Sequence, residues 1–172
     1  MKLITPTMAY DKQIQAYRSE FCHPGMSMDG GGSLIRFERT QDWLDYLALL
    51  SDPETVPEGK VPSRQFIYLR EADEKMVGIL QIRYQLNETV ATYFGHIGYS
   101  VAPSERRKGY ATSMLAAALP HAKAIGLDRV LITCLPDNEG SRRTILRNGG
   151  VYESTVHEPE SDRQLERYWI EL

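Results

Sequence analysis

The 172-residue chain predicts a mixed α/β fold, with a mostly antiparallel sheet of about six to seven strands flanked by helices. Three observations carry this. The apolar pattern switches from helical spacing to strand-like runs near Arg64. A strand–helix–strand run spans 95–135, a βαβ unit whose two strands are expected to be parallel. The strand Gly95–Val101 ends at Ala102-Pro103, because proline has no N–H for a central ladder.

In order, Met8–Phe21 spaces Met8, Ile14, Tyr17 and Phe21 as one face of a surface helix. Asp29-Gly30-Gly31-Gly32-Ser33 reads as a loop, a linker with a flexible lid as the alternative. Thr40–Leu50 places Trp43, Leu44, Leu47 and Leu50 on one helical face, with Thr40 as N-cap. A loop runs from Asp52 to Pro62. Phe66–Leu69 and Met76–Tyr84 read as strands joined by the polar turn Asp73-Glu74-Lys75. Gly95–Val101 is the next strand. Arg107–Ile125 is a long helix closed by Gly126, and Pro120 inside it should remove one hydrogen bond and kink it. Arg129–Leu135 is a short strand, and Asn138–Arg147 is a helix stopped by Asn148-Gly149-Gly150. Val151–Val156 and Leu165–Leu172 close the fold around an acidic loop.

Composition narrows the function classes. Twenty Lys and Arg stand against 23 Asp and Glu, for a net charge of −3. That argues against a globally basic nucleic-acid binder. Cys22 and Cys134 are too few for a disulfide framework or a Cys-rich zinc site, so no metal is expected. No apolar run reaches the ~18 residues of a membrane span, and none of signal-peptide type follows Met1. The expectation is a cytoplasmic protein with no membrane partner.

The chemistry concentrates in Val101-Ala-Pro-Ser-Glu-Arg-Arg-Lys-Gly-Tyr-Ala-Thr112. A strand enters a loop with three consecutive cations and a glycine, and a long helix follows. The first helical turn has N–H groups without internal partners and carries the positive end of the macrodipole. Glycine lets an anion approach the backbone, and Arg106, Arg107 and Lys108 add charged donors. The site suits a pyrophosphate. It is not a P-loop, because no Gly-Lys-Ser/Thr is present, and it lacks the three glycines of the dinucleotide fingerprint.

The pattern Arg106-x-x-Gly109-x-Ala111 resembles the coenzyme A pyrophosphate loop of the GNAT superfamily of N-acetyltransferases. The context agrees. Ile97-Gly98-Tyr99-Ser100-Val101-Ala102-Pro103 is similar to the family's fourth strand. Asn138-Glu-Gly-Ser141 and the helix ending in Gly149 resemble the branch that acetylates ribosomal-protein N-termini. The resemblance is clear over 64–172 and vague over 1–63. It implies one acetyltransferase-like domain over 1–172, with 1–63 as a helical acceptor-side region and 64–172 as the coenzyme-binding core.

That resemblance implies acetyl-CoA as cosubstrate. Backbone N–H groups of Arg107, Lys108, Gly109, Tyr110 and Ala111 would hold the pyrophosphate, with Arg106 in the pattern's Gln/Arg position and Thr112 adding a hydroxyl. Backbone groups of Tyr99, Ser100 and Val101 would pair with the pantetheine arm, and Asn138 and Ser141 would contact the coenzyme. His96 is the first candidate for the general base, since imidazole has a suitable pKa near ~6.5. Glu88 and Glu105 are weaker candidates. His23, His121 and His157 have no supporting context. Many members carry a tyrosine on the last helix that protonates the leaving thiolate. Ile145 stands there in this chain, so Tyr152 and Tyr99 are the replacement candidates.

The acceptor is expected to be a primary amine of a small molecule or a peptide N-terminus. Glu153, Glu158, Glu160 and Asp162 either form an acidic rim that attracts a cationic amine or belong to a solvated hairpin tip. A non-catalytic acyl-CoA sensor or degenerate subunit is the alternative function. A homodimer through the closing strand Tyr168–Leu172 is the alternative to internal pairing.

Overall fold

A computed structural model describes all residues, Met1–Leu172. Seven strands and four α-helices follow in the order β1 (Lys2–Ile4), α1 (Asp11–Ser19), α2 (Thr40–Ser51), β2 (Ser63–Arg70), β3 (Lys75–Arg83), β4 (Ile97–Val101), α3 (Tyr110–Ala124), β5 (Arg129–Cys134), α4 (Glu139–Arg147), β6 (Val151–Glu158), β7 (Arg163–Glu171). A π-helical turn, Val90–Phe94, precedes β4. The strands form two antiparallel sheets, ordered β1-β2-β3-β4 and β5-β7-β6.

The split corrects one expectation. β4 and β5 do not form a parallel ladder. They meet in one antiparallel bridge, Gly95 to Ile132, and part beyond it. The closing strand β7 fills the centre of the second sheet, between β5 and β6 of the same chain.

Alternation along the strands makes two cores, one on each side of the sheets. Sixteen buried residues, including Leu80, Ile97, Met114, Leu115, Val130 and Ile145, pack under α3 and α4. Ten more, including Ile14, Tyr17, Trp43, Ile67 and Ile79, pack under α1 and α2. Each fully buried side chain of this size stabilises by about 1.5–3 kcal/mol. α3 runs unbroken through Pro120, which is exposed, as is Ala116, whose carbonyl loses its helical donor. Thr40 lies inside α2 rather than capping it; the N-cap is Arg39, and Thr40 Oγ1 accepts from Gln15 Nε2 at 3.0 Å.

The glycine loop is neither a lid nor a slack linker. Trp43 Nε1 donates to the carbonyls of Gly31 (3.2 Å) and Gly32 (3.0 Å). Gln65 Nε2 donates to Gly30 O at 2.7 Å, and Ser100 Oγ donates to Asp29 O at 2.6 Å. The loop is thereby pinned on the outer face of β4. Gly30 has φ +69°, and a Cβ there would collide with the Gly98 carbonyl.

Candidate active site

Where the two sheets separate, β4 and β5 are clamped at one point. His96 N–H donates to Leu131 O at 2.7 Å. Leu131 N–H donates to His96 Nδ1 at 2.9 Å. Past this clamp no ladder joins the strands, which leaves a cleft flanked by Tyr99–Val101 and the end of β5. The Ser100 carbonyl accepts from the Tyr17 hydroxyl at 3.0 Å, and the Val101 carbonyl from Arg106 Nε at 3.3 Å.

The loop from β4 into α3 is shaped by two left-handed residues, Arg107 (φ 64°) and Gly109 (φ 83°, the N-cap of α3). Nothing stands within 4 Å of a Cβ built on Gly109, so its backbone faces open space. The N–H groups of residues 107–112 donate to no protein acceptor. Six consecutive free donors at the positive end of a 15-residue helix are a preorganised anion site. Arg106, Arg107, Lys108 and Gly109 are exposed; Tyr110, Ala111 and Thr112 are partly so. Thr112 keeps its hydroxyl free, while its carbonyl accepts from Asn148 Nδ2 at 3.2 Å.

The loop is anchored from below by a carboxylate, which corrects the reading of Glu105 as a base. Glu105 is 5% exposed. It receives Arg70 Nη1 at 2.8 Å, Lys75 Nζ at 3.0 Å and Lys108 Nζ at 2.8 Å. Hydrogen bonds from Lys108, Arg70 and Lys75 hold its pKa down to about 2. So strong a stabilisation of the anion leaves no basicity. Arg70 also donates to the Tyr110 hydroxyl at 3.0 Å, fixing the first helical turn. Lys108 is therefore tied to the anchor.

His96 is corrected in the same way. It is 7% exposed, and burial lowers its pKa to about 4, assisted by the charges of Arg83 and Arg129. Because Nδ1 accepts an amide hydrogen, the proton of the neutral ring sits on Nε2. Neither nitrogen offers a free lone pair. His96 holds β4 against β5; its geometry does not suit a base.

Asn138 caps α4, accepting from Ser141 N–H at 3.1 Å. Ser141 Oγ is 2.9 Å from the Tyr99 hydroxyl. Asn138, Ser141 and Tyr99 thus form one polar chain from α4 across to β4. Burial raises the Tyr99 pKa, so its phenol stays protonated. Tyr152 lies apart from this chain. It is 53% exposed on β6, and its hydroxyl meets Thr155 Oγ1 at 2.9 Å. Glu88 is exposed before the π-helical turn.

Of the four rim acids, Glu160 and Asp162 stay exposed at the hairpin tip, with Asp162 2.8 Å from His157 Nε2, and the other two are paired. Glu158 points inward to Ser161 and to Arg163 at 2.9 Å, and Glu153 accepts from Arg167 Nε and Trp169 Nε1. No group of three or more His, Cys, Asp or Glu side chains is placed to hold a metal ion. No helix is long and apolar enough to cross a membrane.

A comparison with curated protein sequences gave no match. Solved structures share the fold. Ribosomal-protein-S5-alanine acetyltransferase from Vibrio fischeri aligns with a TM-score of 0.71 at 16% identity, over 98% of this chain and 91% of its own. A mutant of spermidine N-acetyltransferase SpeG from Vibrio cholerae aligns at 0.67 and 14%, over 99% and 95%. RimJ from Mycobacterium smegmatis, in complex with CoA-disulfide, aligns at 0.66 and 21%, over 98% and 80%. The family model for the acetyltransferase (GNAT) domain matches residues 34–151, more than half of the chain and all of the cleft and phosphate loop up to β6. With that match added to the split sheet and the free donors of residues 107–112, the chain belongs to the GNAT acetyltransferase family.

Proposed function

We propose that this protein transfers the acetyl group of acetyl-CoA to a primary amine by direct attack in a ternary complex. The observation that carries the proposal is the run of unpaired N–H groups from Arg107 to Thr112 beside the β4–β5 cleft. These donors fit a pyrophosphate in charge, number and accessibility. Arg106 and Arg107 border the same loop. Asn138 and Ser141 border the far wall of the cleft, where the pantetheine arm belongs, and the backbone of Tyr99, Ser100 and Val101 forms the near wall. When bound, acetyl-CoA supplies an activated thioester.

The chain's own residues then orient and exchange protons. The segment 64–172 holds the coenzyme, and 1–63 covers the acceptor side through α1, α2 and the pinned glycine loop. Tyr99 is the better-placed proton donor for the departing sulfur, since its protonated hydroxyl lies at the first turn of α4 while Tyr152 lies outside the cleft. With His96 and Glu105 unable to accept it, the amine's proton leaves to water.

The second reading, a non-catalytic acyl-CoA sensor, is favoured by Ile145 and by the inert His96. One experiment separates the two. Free thiol is measured from acetyl-CoA with and without a panel of primary amines. Amine-dependent thiol release with a matching acetylated product supports the transferase. Coenzyme binding with no amine-dependent release assigns the sensor role instead.

A further inference from the structure

Arg83 closes β3 on the acceptor side of the sheet and was not among the residues that the motifs singled out. Its backbone pairs with β4 next to the clamp, its N–H donating to His96 O at 2.8 Å. Its Nη1 donates to Gly95 O at 3.0 Å and points at Phe94 O at 3.5 Å. Its Nε and Nη2 have no protein acceptor, and no carboxylate lies within 4.0 Å. The guanidinium is half-buried, and desolvation lowers its pKa to about 10, still charged at neutral pH. Nη2 is 3.8 Å from where a Cβ on Gly98 would stand, one residue before the Tyr99–Val101 wall.

A partly desolvated cation with two free, parallel donors is unfavourable alone and matches a carboxylate in a fork-to-fork pair. Asp29 does not take that place. Its carboxylate acts on Arg83 from beyond ion-pair range and accepts from Ser27 Oγ at 2.9 Å. Of the hairpin acids that would suit a polycation, Glu153 and Glu158 are already paired with Arg167 and Arg163.

Building on the acetyltransferase reading above, we propose that the acceptor amine carries a carboxylate a few bonds from its nitrogen, as an amino acid does, and that Arg83 binds that carboxylate. Gly30 already packs against Gly98, so the carboxylate sits at the rim of that contact and the amine extends along β4 toward Tyr99–Val101. One N–C bond forms, the C–S bond breaks with coenzyme A leaving as the thiolate that Tyr99 protonates, and the amine loses its proton to solvent.

The test compares L-amino acids with their primary amides, and with spermidine, as acceptors for the full-length protein and acetyl-CoA. Wild type should prefer the acids over the amides by about 10–100-fold in kcat/KM, the range for hydrogen bonds to charged groups. Arg83→Met should collapse that ratio toward unity, chiefly through acceptor KM. Arg83→Lys should restore part of it, and melting temperature should show that both variants are folded. Amides or spermidine reacting as well as the acids, or an unchanged ratio in folded Arg83→Met, overturns the proposal and leaves acetyl transfer standing. Failure of every carboxylated amine also overturns it. Failure to bind acetyl-CoA at all removes the underlying reading as well.

Discussion

Arg70 on β2 reaches Glu105 at 2.8 Å, so the strand hairpin and the anion-binding loop are joined through one buried carboxylate. Lys75 and Lys108 complete the contact from β3 and from the loop itself. A shallow carboxylate pair is worth little. This one is different because Glu105 is nearly sealed from water and has three cations to satisfy its two oxygens.

Glu105→Gln should therefore loosen the loop. It leaves three cations facing a neutral amide. The expected cost is on the order of 2 kcal/mol, below the ~3–5 of a fully buried pair because Lys75 and Lys108 reach water. Coenzyme A affinity should fall with it, by about 10-fold. Chemical denaturation and titration of coenzyme A check the two effects separately.

The same carboxylate sets an acid limit. Its pKa is depressed to about 2 from an ordinary value of 4.5. The unfolded chain binds the proton more readily, so the stability that Glu105 contributes is present above about 4.5 and is lost as pH falls toward 2. Glu105→Gln should flatten the stability curve across that window.

His96 follows the corresponding rule for a buried neutral imidazole. Its pKa falls from 6.5 to about 4. The unfolded state again takes up the proton first, so its contribution is present above 6.5 and is lost between 6.5 and 4. The rate profile should show no inflection from His96 near pH 6.5. His96→Ala should destabilise by about 1–3 kcal/mol, because the Leu131 N–H loses its acceptor. A kcat profile that follows an ionisation near 6.5 and disappears in His96→Ala would restore His96 as the base.

Tyr99→Phe keeps the ring and removes the hydroxyl that meets Ser141. It should lower kcat by about 10–100-fold, toward the weak end of acid catalysis because a thiolate leaves readily. Tyr152→Phe should leave kcat within about 2-fold, as expected for a surface change. Steady-state rates with a saturating acceptor decide between them.

Gly30→Ala should be among the more damaging single changes on the acceptor side. It combines a left-handed backbone with a collision against Gly98, costing about 2–4 kcal/mol. Thermal unfolding measures it.

Much of this was legible in local pattern. The helices around Ile14, Trp43 and Met114 and the strands from Phe66 onward follow apolar spacing that a packed core requires. The phosphate loop was legible because its chemistry is contiguous. What escaped depends on contacts distant in sequence. β1 is three residues long and exists through pairing with Tyr68 and its neighbours. Glu105 read as a free acid because Arg70 and Lys75 approach from another hairpin. His96 read as a base because nothing local reveals that the Leu131 amide occupies Nδ1. Arg83 carried no motif at all; its meaning lies in the carboxylates that fail to surround it.

Residues 107–112 are proposed to hold a coenzyme A pyrophosphate. Calorimetric titration of coenzyme A and acetyl-CoA into the wild type and into Gly109→Trp tests it most directly. Micromolar binding to the wild type is expected, with loss of binding in a folded Gly109→Trp, whose side chain fills the open space before the free N–H groups. No binding to the wild type, or equal binding to both, would contradict it.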